Sequence, residues 1–469
     1  MTARPAFAPE MHALRAALIQ AVGARHVRED PGPDHGATLI VLPGSTAEVS
    51  AVVKVCQSHG ASIVPQGGHT GLVGGCQSQP GQVVLSLSRM TRIETINPSE
   101  RVAVVEAGVA LEALQNAALA HGLEPGIDLA ARGSATIGGM VSTNAGGIMA
   151  FRHGVMRHRI LGLEAVLADG SVYSEMTRVI KNTAGYDLKH LFIGAEGTLG
   201  IVTRVVLRLE PVRPASVTLL LGLHSADEAL EAIALALHSS TSSLRAAEGL
   251  WQSYIRLTAK GQGWAEPDFP LDKPIYLLLM LAGAEEAALH EEAERMFGLL
   301  TDRFAATTGI LASSKRQEEE LWLLREDTDQ LYRMHAAAPS YDVSVPLSEI
   351  GTYLETVLAR LASLDGGMAP YVFGHLADGN LHIVLDRAGP LSDDVSQSVE
   401  NALYADLNAI GGSFSAEHGV GTKRVSALID TADPVKMQLM RRLKDTLDPA
   451  GLLNPGKVLR TTASTPQSR

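Results

Sequence analysis

The sequence predicts an α+β chain of two or three domains, on three observations. Strand-like and helix-like segments are both present, from a β-α-β start through the latter half of its 469 residues. Its 45 glycines exceed the average usage of about 7%, and many of them fall in three clusters within the first half. After Pro211 and Pro214 the texture shifts to amphipathic helices alternating with strands, with acidic surface at Glu285–Glu294 and Glu318–Glu320. Residues 1–214 are therefore expected to form one domain, 215–437 a second, and 438–469 a C-terminal segment.

Composition narrows the function. With 46% apolar and 19% charged residues the chain can bury ample cores, so intrinsic disorder is not expected. Its 39 Lys+Arg against 51 Asp+Glu give a net charge of -12, which disfavours nucleic-acid binding, since that affinity comes from cations releasing counterions. Cys56 and Cys76 cannot build a disulfide framework or a cysteine-rich zinc cluster, as suits a reducing compartment. Apolar stretches such as Val217–Leu223 and Ile275–Ala284 fall short of the roughly 20 residues of a membrane helix. Glu10, His12 and Arg15 interrupt Met1–Val22, which reads as an amphipathic helix rather than a signal peptide. A cytoplasmic location follows, compatible with peripheral attachment to a membrane.

The elements follow in order. Thr38–Leu42 reads as a strand, and Ser45-Thr46-Ala47-Glu48 as a capping box opening a helix to about His59. Ser62–Val64 and Val83–Leu87 are short β-type runs, so the chain starts β-α-β, with the first glycine cluster, Pro65–Gly75, as the loop between them. The second cluster spans Gly126–Gly147. The third, Gly194–Gly200, leads into a strand over Ile201–Leu209. Near the end, a helix from Leu443 stops at Asp448-Pro449, a turn follows at Asn454–Lys457, and a loose polar tail begins after Arg460.

Neither Gly-x-Gly-x-x-Gly nor a Walker-type Gly-x-x-x-x-Gly-Lys-Ser/Thr occurs, which disfavours a nicotinamide Rossmann site and a nucleotide triphosphatase. Each of several separated glycine loops instead ends near a hydroxyl or amide residue: Thr70, Ser134, Asn144. Such loops present backbone N–H groups in concavities suited to a pyrophosphate flanked by a flat ring, or they are simply tight turns.

A sharper signal is Gly374-His375-Leu376-Ala377-Asp378-Gly379-Asn380-Leu381-His382. With Asp378-Gly379 as a two-residue hairpin turn, His375 sits directly across from His382, their Cβ atoms about 4.5 to 5.5 Å apart, a spacing that lets two imidazoles share a divalent ion. Glu417-His418, on a Gly-flanked segment, offers a carboxylate and a further imidazole. Two His and one carboxylate suit zinc, manganese or iron; a cross-strand His pair with an unrelated Glu-His is the alternative. In an expected helix Leu321–Met334, Arg325 lies within about 60° of Leu321 and Thr328, at the edge of the apolar face. An Arg there needs an anion, either a substrate carboxylate or one of the many Glu residues.

From roughly Thr38 to Asn454 these segments resemble the vanillyl-alcohol oxidase and p-cresol methylhydroxylase family, in its branch of D-2-hydroxyacid dehydrogenases. The resemblance implies a two-part FAD-binding domain and an α+β substrate (cap) domain with an antiparallel sheet, the C-terminal segment returning to the FAD domain. It implies that Gln66, Gly67, Gly68, His69, Thr70, Gly74 and Gly75 cradle the FAD pyrophosphate. Gly133, Ser134, Thr136, Gly138, Asn144, Gly146 and Gly147 would line the flavin, and Glu196, Gly197 and Ile201 would lie beside the adenosine, with Asn454, which returns the C-terminal tail to the flavin domain, also binding the cofactor. It implies further that His375, His382 and Glu417 bind a divalent metal, with zinc first and manganese or iron as alternatives, that His418 is the base, and that Arg325 anchors substrate. His69 departs from the Asn of close relatives, and in other branches a His in this loop is bonded covalently to the flavin.

The implied chemistry is oxidation of a D-2-hydroxy acid to the 2-oxo acid: a metal lowers the pKa of the hydroxyl, His418 takes its proton, and flavin N5 accepts the hydride. Relatives that oxidise D-2-hydroxyglutarate tend to have Thr, Lys and Asn where this chain has Asp329, Ser340 and Val384, which favours D-lactate or a larger apolar side chain. The electron acceptor would be a quinone, a cytochrome or an electron-transfer flavoprotein, and a homodimer is compatible with the family. Two alternatives stay open: a flavoprotein subunit of a glycolate-dehydrogenase-type complex, and a zinc-dependent hydrolase.

Overall fold

The computed structural model describes residues 9–29, 36–264, 269–364 and 366–460. The chain forms two compact units, one from the segments up to Gly146, His153–Val212 and Glu417 onward, the other from Gly147–Arg152 and Arg213–Ala416. The return to the first unit thus falls at Glu417, ahead of the boundary expected at 438. Of the expected N-terminal helix, Pro9–Val22 is described; residues 1–8 and the tail 461–469 lie outside the described residues. Among the described residues no helix is long and apolar enough to cross a membrane.

Among the described residues the first unit holds two larger sheets and a two-stranded ladder that pairs Leu123–Glu124 with Glu210–Pro211. In one, Val27–Glu29 pairs antiparallel with Leu39–Val41, which runs parallel to Val83–Ser86, itself parallel to Ile63–Gln66. The helix Thr46–Ser58 makes the expected crossover. Ser45 Oγ accepts from the Glu48 N–H, while the Glu48 carboxylate reaches back to the Gly44 N–H rather than to Ser45. The second sheet is antiparallel, in the order Ile93–Asn97, Val102–Glu106, Ile201–Arg208, Ile160–Val166, Val172–Glu175. Against it packs Ile137–Thr143, a helix within the second glycine cluster, whose Ile137, Met140 and Val141 enter the core.

The C-terminal helix begins at Pro434, with Asp433 as its N-cap, and ends at Leu447. A buried ion pair folds the chain that follows. Lys444 Nζ lies 2.6 Å from Asp448 Oδ2 and donates to the Thr198 and Leu453 carbonyls, and Asp448 accepts from the Leu452 and Leu453 N–H groups. Leu453 is thereby laid alongside Ile63, and the Asn454 N–H donates to the Ile63 carbonyl at 2.7 Å. Burial pushes the Lys444 ammonium below its ordinary pKa, and Asp448 opposes that shift.

The second unit is one seven-stranded antiparallel sheet in the order Thr308–Leu311, Ala215–Leu223, Ile275–Gly283, Ser243–Trp251, Tyr371–His375, Asn380–Val384, Ser340–Ser344. Leu220, Leu278, Leu250, Phe373 and Val384 join Tyr254 and Ile255 of the helix Gln252–Gly261, and Leu321 and Leu324 of the helix Lys315–Glu326, in one core. The single helix expected over Leu321–Met334 is in fact two, since Asp327 ends the first and Asp329–Met334 forms another. The break is stabilised from the side: Thr258 Oγ1 donates to the Leu324 carbonyl and Tyr254 Oη to the Arg325 carbonyl, in place of the N–H groups that a continuing helix would supply.

Replacing Asp448 by Ala should cost about 3–5 kcal/mol in urea unfolding, because it strands a buried ammonium and two N–H groups. A loss below about 1 kcal/mol would contradict this account of the C-terminal turn.

Candidate active site

In the first unit a cleft opens among the glycine clusters. Gln66, Gly67, Gly68, His69, Thr70, Gly75, Thr136, Gly138, Gly146, Glu196, Gly197, Ile201 and Asn454 line it, together with Glu417 and His418. Gly74, Gly133, Ser134, Asn144 and Gly147 do not line it. Asn144 instead caps the helix Ile137–Thr143 in the left-handed conformation and accepts from the Arg157 N–H. Two of the glycines are required by close approach of the loops. A Cβ on Gly68 would lie 1.8 Å from the Ser134 carbonyl oxygen, and one on Gly67 2.3 Å from Thr136 Oγ1. The walls mix backbone with apolar side chains such as Leu87, Leu129 and Val202. Asn454 Nδ2 donates to the Gly75 and Glu196 carbonyls, and among the described residues its buried Oδ1 has no partner. A flat heteroaromatic ring with polar edges and an anionic tail fits this lining.

The segment carrying Glu417 and His418 is held by Glu196. That carboxylate accepts from the Val420 N–H at 2.7 Å and the Gly421 N–H at 2.9 Å. Gly419 and Gly421 have φ of 80° and 51°, and a Cβ on Gly421 would fall 2.1 Å from the Val73 carbonyl. Burial raises the Glu196 pKa and the two N–H donors oppose it. The resemblance places Glu196 beside the adenosine; the loop it clamps lies more than two hundred residues further along the chain.

In the second unit the two imidazoles meet, but not in the expected register. His382 pairs with Phe373 and Tyr371 with Val384, so Leu376–Gly379 forms the connection and the strands are offset by two residues from a turn at Asp378-Gly379 alone. An offset of two leaves the faces unchanged, because side chains alternate with a period of two. His375 and His382 therefore still share a face, as diagonal neighbours with ring centroids 5.4 Å apart and planes at 84°.

That face carries three groups the sequence did not single out. Glu248, 1% exposed, pairs directly opposite His375 in the sheet and accepts from His375 Nδ1 at 2.7 Å and from Arg325 Nε at 2.7 Å. Asp342, fully buried, stands opposite His382 with Oδ1 3.5 Å from Nδ1; it accepts from Asn380 Nδ2 and from the Ala416 N–H. Phe373 lies beneath the Arg325 guanidinium, 4.7 Å from its carbon. Burial alone would raise the Glu248 pKa, but His375 and Arg325 hold the carboxyl below its ordinary range. Arg325 thus has a glutamate as its ion-pair partner inside its own unit.

Residues 213–458 match the family described as FAD linked oxidases, C-terminal domain, and residues 37–174 match an FAD binding domain. The chain belongs to the FAD-linked oxidase family. It is 37% identical to a D-2-hydroxyglutarate dehydrogenase of Xanthomonas citri pv. viticola, over 90% of this chain and 89% of that one. It is 36% identical to the mitochondrial D-2-hydroxyglutarate dehydrogenase of Bos taurus, over 91% and 78%. Two solved structures share its fold: p-cresol methylhydroxylase with substrate bound (TM-score 0.73, 18% identity, 97% of this chain and 98% of that) and an alkyldihydroxyacetonephosphate synthase (TM-score 0.70, 17%, 97% and 86%). The expected family, the α+β architecture and the FAD-linked oxidoreductase class acting on CH–OH donors are borne out. The FAD-binding match covers the first two glycine clusters, and the FAD linked oxidase match covers the paired imidazoles and the Glu417-His418 segment.

Glu196→Gln should cost about 1–3 kcal/mol, since one of the two accepting oxygens becomes an NH2 that faces an N–H donor. Chemical unfolding followed by flavin release would measure it, and an unchanged midpoint would remove Glu196 as the clamp.

Proposed function

We propose that this protein is an FAD- and divalent-metal-dependent dehydrogenase that converts a D-2-hydroxy acid to its 2-oxo acid. The main support is the grouping of side chains. One sheet face carries two imidazoles, Arg325 reaches Glu248 on that face from the helix Lys315–Glu326, and Glu417 and His418 line the glycine cleft. Glu248 engages Nδ1 of His375, so a metal would be met by Nε2. Ala416 is hydrogen-bonded to Asp342, the carboxylate opposite His382, and Glu417 is the next residue. His375, His382 and Glu417 would then be the protein ligands, with zinc as the first candidate.

When bound, the metal supplies Lewis acidity and FAD supplies a two-electron acceptor. The chain's own residues do the rest. His418 accepts the substrate hydroxyl proton at a ring nitrogen. Arg325 holds the substrate carboxylate with N–H groups other than the Nε bound to Glu248. The Gln66–Thr70 loop would hold the FAD pyrophosphate and Thr136 the flavin, with Asn454 also binding the cofactor.

For the substrate side chain, Ser340 and Val384 stand directly opposite each other on the face of His382, and Val384 is buried in the apolar cluster with Phe373 and Tyr254. Asp329, at the start of the helix after Arg325, adds a negative charge. We infer an uncharged side chain, as in D-lactate or a larger apolar homologue. The relatives named D-2-hydroxyglutarate dehydrogenase favour a dicarboxylate instead, and the two readings are separable.

Anaerobic mixing with a panel of D- and L-2-hydroxy acids should bleach the flavin with D-lactate or a larger apolar D-acid. Their kcat/KM should exceed that for D-2-hydroxyglutarate by at least ~10-fold; the reverse order would overturn the preference, and no bleaching by any member would overturn the activity. His418→Ala should retain its flavin spectrum and lose about 10²–10⁴-fold in kcat.

A further inference from the structure

Glu248 is a charged group inside an apolar sheet core. In cross-strand register it forms a row with Leu220, Leu278 and His375. A carboxylate in such a row is costly unless both its oxygens are used. Oε1 is used by His375 Nδ1 and Oε2 by Arg325 Nε, each at 2.7 Å. These two partners do not have the same freedom. Arginine can only donate, whereas a neutral imidazole donates from one nitrogen and accepts at the other.

We propose that Glu248 is a positioning residue that decides which nitrogen of His375 is offered to the metal while it holds Arg325 in place. A carboxylate has only acceptors, so it requires a proton on Nδ1 and leaves the lone pair on Nε2. The tautomer is assigned from this chemistry. The inference rests on the metal reading above, in which Nε2 of His375 is a ligand. One carboxylate thereby links the metal site to the anchor for the substrate carboxylate.

The isosteric substitution Glu248→Gln is informative because an amide carries one acceptor and one donor. Its oxygen must face Arg325, which cannot accept. Its NH2 then faces His375 Nδ1, which can take that bond only by moving its own proton to Nε2, the atom the metal needs. The variant therefore keeps the packing and the Arg325 contact but presents the wrong tautomer.

Zn²⁺ affinity of the purified full-length flavoprotein, measured by competition with a chromophoric chelator, tests this. Wild type should bind one ion tightly, Glu248→Gln should lose about 10–100-fold in affinity, and flavin content should not change. In a His375→Ala background the second substitution should add nothing, because its effect runs through that ring. Equal affinity in wild type and Glu248→Gln, or losses that add fully, would overturn the proposal. Wild type without measurable Zn²⁺ binding would instead overturn the metal reading on which it rests. If the Gln variant fails to fold, ¹⁵N-histidine spectra of metal-free wild type decide, with His375→Asn identifying the signal: a proton on Nδ1 supports the proposal, and one on Nε2 overturns it.

Discussion

A charge taken out of water must be paired, and the second unit is arranged around that requirement. Its sheet brings Glu248 and Asp342 into a face otherwise filled by Leu220, Leu278, Leu250 and Phe373. Each carboxylate then dictates its neighbours: Glu248 takes His375 and Arg325, and Asp342 takes Asn380, the Ala416 N–H and the ring of His382. The imidazoles are thus oriented by the carboxylates buried in the same sheet face.

The first unit applies the same rule to the backbone. Its glycine loops pack against one another so closely that a single Cβ at Gly67 or Gly68 would collide with the neighbouring loop. The N–H groups of Val420 and Gly421, from the distant C-terminal segment, find their acceptor in Glu196. Lys444 and Asp448 perform the same service for the turn that delivers Asn454 to the cleft. Buried carboxylates therefore do the long-range positioning in both units, while glycines supply the room.

The readable part of the site was the part carried by local pattern. The β-α-β start, the glycine loops, the histidine hairpin and the Glu-His-Gly segment each declare themselves within a dozen or so residues. The hairpin register was misjudged because Asp-Gly is a strong two-residue turn signal, whereas the chain uses Leu376–Gly379 as the connection. The offset did no harm to the functional reading, since a shift of two keeps both rings on one face. The helix break at Asp327 is not legible locally, because the groups that satisfy its carbonyls, Tyr254 and Thr258, lie on another helix.

By itself the sequence determined the α+β class, the flavin-type loops and the identity of the paired imidazoles, because residue type and spacing act over short stretches of chain. Only the tertiary structure decided what those residues touch: that Glu248 joins His375 to Arg325, that Asp342 backs His382, and that Glu196 clamps the segment of His418. These partners are single acidic residues among 51 Asp and Glu, separated from their contacts by scores to hundreds of positions. No local pattern distinguishes them, since what singles them out is burial, and burial is a property of the packed fold.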